Sequence, residues 1–169
     1  MGILNNSIFF EVGRVLLLTL FFSYSAEAGL KDTLARKFPK CHFVEKSKFL
    51  TEKEYKMIKS KFPTRDVRKF YSFYQRVCNQ KSSFDFIFSD IVRTKRQLVH
   101  IHIEDKKLES LKVVKFEEPS EYRVKDSWLK KFKSTLPDSI DIVSGATLSS
   151  KSTKFLVWLS LYLQGDILK

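Results

Sequence analysis

The chain predicts an α+β fold: an antiparallel sheet of about four or five strands with an N-terminal and a C-terminal helix packed on it. Three observations predict it. Between Val67 and Phe116, apolar runs, two of them alternating, are divided by short polar turns, the grammar of a meander. Ahead of them, Thr51-Glu52-Lys53-Glu54 has the form of a capping box and announces a helix. Near the C-terminus, Phe155 to Leu163 is apolar nearly all round, the mark of a deeply buried helix.

The chain opens on Val15 to Phe22, an apolar block behind Arg14, followed by Ala26-Glu27-Ala28, an A-x-A cleavage pattern. The n-region is poorly basic, because Glu11 opposes Arg14. An uncleaved anchor would need roughly 20 apolar residues, far more than this block offers. The expectation is export, to the periplasm or the outer face of the membrane, with cleavage after Ala28. Residues 1–28 then form a signal peptide, 29–50 a lead-in, 51–165 the folded domain and 166–169 a tail.

A length of 169 residues suits one domain with a real core. Sixteen Phe against five Gly and four Pro argue for a packed chain and against disorder. Lys and Arg number 31 against 19 Asp and Glu, a net charge of +12. Losing Arg14, Glu11 and Glu27 with the leader raises it to +13. Such a charge attracts anions, acidic partners or anionic membrane surfaces. The lysines are dispersed, however, so a basic solvated surface is the simpler reading, and nucleic acid is not an expected partner outside the cell. An oxidising compartment would allow Cys41 and Cys78 to pair, but sequence leaves open whether they approach closely enough.

The first helix should follow Thr51, place Tyr55, Ile58 and Phe62 on one face, and end before Pro63. Strands are expected over Val67–Val77 and Phe84–Val92, with a turn at Asn79-Gln80-Lys81-Ser82. In the second, Phe84, Phe86, Phe88 and Val92 share a face. Leu98–Ile103 puts Val99, Ile101 and Ile103 on one side; Glu104-Asp105-Lys106-Lys107 then turns the chain into Leu108–Phe116.

Before the last helix stands Asp141-Ile142-Val143-Ser144-Gly145-Ala146-Thr147-Leu148-Ser149-Ser150. It reads as a loop feeding a helix. Gly145 permits a backbone other residues resist, and the Ser/Thr cluster is expected to cap the helix start. Unpaired N–H groups and the positive end of the helix dipole suit a phosphate near the Thr147 hydroxyl.

This string resembles the attachment motif of the FMN-binding domain family, which includes a subunit of the sodium-translocating NADH:quinone reductase. The resemblance implies that Thr147 carries FMN through a phosphoester bond, placed there by a separate flavin transferase. Asp141, Ser144, Gly145, Ala146, Leu148 and Ser149 are then the other cofactor-site residues. Further blocks resemble exported single-domain members: Ser89–Lys95, Phe116–Tyr122 and Trp128–Phe132. The likeness extends over about residues 50 to 163. One departure is plain. Where the redox-complex subunits have Glu-Thr-Pro-Gly-Leu-Gly, this chain has Glu117-Glu118-Pro119-Ser120-Glu121-Tyr122. Both glycines, which would let backbone approach the ring closely, are gone, so isoalloxazine contacts are not carried over.

Other constellations read more simply. His100 and His102 share a strand face opposite Val99, Ile101 and Ile103, so they are expected to be solvent-exposed; a third ligand with zinc spacing is absent. Cys41-His42 fails the same spacing test. Glu117, Glu118 and Glu121 read as loop carboxylates pairing with lysines. No Gly-x-Ser-x-Gly elbow surrounds Ser144, so it is a poor nucleophile candidate. Trp128 and Phe132 form a helical pair that packs a core or covers a flavin ring. No catalytic or metal-binding residue is assigned. The expectation is an exported, membrane-associated electron-transfer flavoprotein with covalent FMN, a redox carrier more than a free-standing enzyme, served by a flavin transferase and by membrane or periplasmic redox partners. The alternative is a basic exported module that binds an anionic polymer or membrane surface without flavin.

Overall fold

The computed structural model describes residues 32–167. The expected signal peptide and its cleavage site lie outside the described residues. Two compact units divide the chain, Met1–Cys41 and His42–Lys169. Of the first, residues 32–37 are helical, and the Phe38 N–H bonds the Leu34 carbonyl at 2.9 Å. Both cysteines, Cys41 and Cys78, are disulfide-bonded.

The second unit is an α+β fold on a five-stranded antiparallel sheet of order β1-β2-β3-β4-β5. Its strands are β1 (Cys41–Phe49), β2 (Phe70–Cys78), β3 (Lys81–Val92), β4 (Lys95–Glu104) and β5 (Lys107–Phe116). Helix α1 (Glu52–Lys61) lies between β1 and β2; α2 (Asp126–Lys130) and α3 (Thr147–Ile167) follow the sheet.

The capping box forms as expected. Thr51 Oγ1 accepts from the Glu54 N–H at 3.3 Å, and the Glu54 carboxylate accepts from the Thr51 N–H at 2.6 Å. Burial pushes the Glu54 carboxyl up, but those two bonds and Lys48 outweigh it and hold its pKa at about 2. The three hairpins are two-residue turns, at Asn79-Gln80, Arg93-Thr94 and Asp105-Lys106. Asn79, Gln80, Asp105 and Lys106 all take positive φ, as type I′ turns require, and this twist matches the strands they join.

Period-two alternation delivers the core. Phe84, Phe86, Phe88 and Val92 of β3 are buried, as are Val99, Ile101 and Ile103 of β4. Cross-strand register sets Phe84 opposite Ile103, Phe86 opposite Ile101 and Phe88 opposite Val99. Onto this face packs α3, through Phe155, Leu156, Leu159 and Leu163. Helix α1 joins the cluster through Ile58, which is wholly buried, and Phe62 stands edge-on to Phe155 at 5.0 Å.

Three expectations shift. A strand lies at Cys41–Phe49, inside the stretch read as lead-in; of its nine residues only Phe43 is buried, so no alternation betrays it. The second strand starts at Phe70, because Val67 turns its N–H onto the Arg65 carbonyl at 3.1 Å. Helix α3 starts at Thr147, eight residues before the apolar block, and runs through Ile167.

The histidines require a correction. His102 is buried and His100 half-buried, because the second sheet face carries a polar cluster instead of open solvent. At its centre is Asp85, fully buried. Arg76 Nε and Nη2 donate to the two Asp85 oxygens at 2.7 and 2.5 Å, and His100 Nε2 lies 2.7 Å from Oδ1. His102 Nδ1 is 3.2 Å from the same oxygen, in ion-pair range but off the line of a hydrogen bond. The Phe43 ring lies 5.7 Å from the Arg76 guanidinium carbon. Burial alone pushes the Asp85 carboxyl up; the contacts from His100, His102 and Arg76 more than offset it and hold it well below the usual carboxylate range.

Candidate functional site

The motif of residues 141–150 folds as a tight turn into α3. Val143 O accepts from the Ala146 N–H at 3.1 Å, with Gly145 at the third position and φ +79°, the pattern of a type II turn. No atom lies within 4 Å of where a Gly145 Cβ would stand, so backbone conformation, not space, is what calls for glycine.

Capping departs from expectation. The Ser150 N–H bonds the Ala146 carbonyl at 2.9 Å, so Ala146 occupies the cap position. Its methyl offers no acceptor to the first amides of α3, which stay available to an anion. The serine hydroxyls face the other way. Ser150 Oγ donates to Ala146 O at 2.6 Å and accepts from the Val143 N–H at 3.2 Å. Ser149 Oγ donates to the carbonyls of Tyr122, at 2.5 Å, and Ala146, at 3.0 Å. Both serines are buried; they fix the turn and tie it to the loop before α2.

Thr147 differs from its neighbours. It is the first residue of α3, it is exposed, and among the described residues its hydroxyl has no hydrogen-bond partner. It lines a pocket of about 280 Å³ with Gly145, Ala146, Leu148 and Ser149. Val92, Arg93 and Tyr122 complete the wall. Asp141 and Ser144 are exposed and do not line it. Asp141 acts through its backbone: its carbonyl accepts the Trp128 indole N–H at 2.9 Å. Trp128 and Phe132 meet edge-to-face at 4.9 Å and are both buried, so this pair is core.

Three segments distant in sequence thus converge on Thr147: the β3–β4 hairpin, the 117–122 loop and the head of α3. Glu118 joins the first two. Its Oε1 accepts from the Thr94 N–H at 2.8 Å, the Thr94 hydroxyl at 3.0 Å and the Lys95 N–H at 2.9 Å. Those bonds, the Thr94 amide foremost, hold its carboxyl below the usual range. Glu118 therefore latches a hairpin instead of pairing with a lysine. Glu117 does pair with one, Lys115, at 2.6 Å. Sequence reasoning missed Arg93 and Tyr122 as site residues. Both lie in blocks that resemble the family, Ser89–Lys95 and Phe116–Tyr122; in the structure Arg93 takes φ +57° at the first centre of a two-residue turn, where Gly, Asn or Asp is usual.

The pocket fits part of an FMN. Its volume lies just under the roughly 300–1,000 Å³ of sites that enclose whole small molecules. It has room for a phosphate and the start of a ribityl chain but not for a whole FMN, and Leu148 on its wall is 44% exposed. Among the described residues no group of three or more His, Cys, Asp or Glu could hold a metal, and no helix is long and apolar enough to cross a membrane.

No curated protein matches the chain, and no solved structure does. A family model does: residues 96–161, from β4 through the 141–150 loop into α3, match the model described as the FMN-binding domain.

Proposed function

We propose that the protein is an exported electron carrier whose FMN is joined to Thr147 as a phosphoester. One observation carries the reading: within the family-matched segment, Thr147 presents an unengaged hydroxyl on the wall of a pocket of about 280 Å³, at the positive end of a 21-residue helix. When bound, FMN supplies one- and two-electron chemistry; the protein holds and tunes it.

Attachment forms a bond from Thr147 Oγ1 to the flavin phosphate. With a flavin dinucleotide as donor, the pyrophosphate bond breaks, a nucleoside monophosphate leaves, and the threonine proton passes to a base. The pocket lining offers no such base: its residues are Val, Arg, Tyr, Gly, Ala, Thr, Leu and Ser. A separate flavin transferase would bring the base and a metal-bound donor. Export is supported by the apolar leader and by the oxidised state of both cysteines. Outside the cytoplasm a covalent link would keep a cofactor that could otherwise dissociate and be lost. Membrane or periplasmic redox partners would supply and receive the electrons.

The test is mass spectrometry of protein co-produced with a flavin transferase. Wild type should carry the mass of FMN less water and stay yellow after denaturation. Thr147→Ala should carry none yet melt within about 0.5 kcal/mol of wild type, since the side chain is exposed and contacts little. Added mass that persists in Thr147→Ala, or never appears in wild type, refutes the proposal. The second outcome would favour the basic module without flavin.

A further inference from the structure

Arg93 sits at the tip of the β3–β4 hairpin, and its guanidinium carbon lies 4.2 Å from the centre of the Tyr122 ring. Both side chains line the Thr147 pocket. Arg93 itself is exposed, and among the described residues no carboxylate pairs with it. Glu118 feels the Arg93 charge, which helps hold its carboxyl below the usual range, but its Oε1 is bonded to Thr94 and Lys95 and makes no ion pair with the guanidinium. A guanidinium stacked on an aromatic face keeps its in-plane N–H donors pointing outward. Here they border a pocket whose other polar feature is the head of α3.

We propose that Arg93 is the positioning residue for the flavin phosphate on Thr147, pairing with its non-bridging oxygens while Tyr122 braces the guanidinium from behind. The proposal rests on the reading that Thr147 carries FMN. A phosphodiester has one negative charge on two equivalent oxygens, which the planar fork of an arginine meets in a bidentate way and a lysine does not. The amides of α3 would face the phosphate from one side and Arg93 from the other. The same contact would serve the incoming donor, whose phosphates are anionic before transfer, so Arg93 acts in loading as well as in the loaded protein. Arg93 lies three residues ahead of the matched residues 96–161, on the hairpin that leads into them. The substitution of Tyr122 for a glycine in the loop acquires a role as the brace.

The experiment compares wild type with Arg93→Gln, Arg93→Lys and Tyr122→Leu, each co-produced or incubated with a flavin transferase and limiting flavin dinucleotide. Three quantities are read: the initial rate of flavin incorporation by mass, the ³¹P resonance of the loaded phosphodiester, and the anisotropy of flavin fluorescence. In Arg93→Gln the loading rate should fall about tenfold, the factor expected for losing one charge-assisted bond. Its ³¹P resonance should shift and its flavin anisotropy drop. Arg93→Lys should recover part of the rate but not the wild-type resonance, and Tyr122→Leu should move all three readouts in the same direction as Arg93→Gln. A loaded Arg93→Gln with the wild-type rate, resonance and anisotropy overturns the proposal and leaves attachment at Thr147 standing. A wild type that takes up no flavin overturns both. Should Arg93→Gln fail to melt cooperatively, Arg93→Lys decides: an unchanged ³¹P resonance there refutes the role.

Discussion

Replacing Asp85 by Asn tests the polar cluster that sequence did not foresee. Asp85 is fully buried and Arg76 is 6% exposed, so the substitution leaves a guanidinium in the interior opposite a neutral amide. Breaking one partner of a buried pair costs about 3–5 kcal/mol. The Asn oxygen can still accept one Arg76 bond, which places the expected loss near the lower end, about 3 kcal/mol. With urea m-values of about 1–3 kcal/mol/M, the unfolding midpoint should fall by about 1–3 M at unchanged m. The pH dependence carries a sign. Asp85 is held below its usual range, so its contribution is present above the unfolded value, about 3.9, and is lost as pH falls through the lower native value. The gap between wild type and Asp85→Asn should therefore hold from pH 7 to about 5 and narrow only on further acidification. Arg76→Leu combined with Asp85→Leu should recover much of the loss, because two apolar side chains leave no charge unpaired. A loss below about 1 kcal/mol at pH 7, or a gap that widens below pH 4, would refute the reasoning.

Two further outcomes follow from the turn into α3. Gly145→Ala should cost about 1–2 kcal/mol by thermal or urea unfolding, the conformational cost of φ +79° alone, since the new methyl meets nothing within 4 Å. Ser150→Ala should keep its covalent flavin in the mass spectrum yet lose about 1–2 kcal/mol in the same unfolding assay, because the Val143 N–H is left without its acceptor.

Much of the fold was legible, for reasons that differ by element. The meander was readable because β3 and β4 bury one face: Phe84, Phe86, Phe88, Val99, Ile101 and Ile103 leave a period of two in the sequence. Helix α1 was readable through its capping box, a purely local device. β1 was not, because an edge strand with one buried residue has no apolar signature. The motif showed where Thr147 stands, at a loop-to-helix junction, but not what surrounds it. Arg93 and Tyr122 reach it through strand register and loop packing, which no sequence window contains. Ser149 and Ser150 misled for a related reason. Hydroxyls near a helix start usually serve as caps, whereas these two donate to carbonyls that exist only in the folded turn. His100 and His102 were misjudged because a polar residue on the outer strand face was assumed to meet water; Asp85, which stands between Phe84 and Phe86 of the aromatic row and faces the other way, meets them instead.

How rigidly the site is held follows from which bonds join its three segments. The hairpin at Arg93-Thr94 is tied to the 117–122 loop through one Glu118 oxygen, and that loop is tied to the head of α3 through Ser149 and the Tyr122 carbonyl. The last segment is tied in turn to the sheet: Ser152, one turn further along α3, donates to Asp90 of β3 at 2.6 Å, and Gln97 of β4 donates to Thr153 at 3.2 Å. The chain of contacts is closed, since Asp90 and Arg93 lie on the same strand-and-turn. Each link is buried, half-buried or backed by backbone amides, so a group joined to Thr147 would be placed against a frame and not on a free loop. A carrier that must meet partners at a fixed ring orientation needs that property. Under the proposed function the exposed position of Thr147 and the closed frame behind it are complementary: one would admit a transferase, the other would set where a flavin comes to rest.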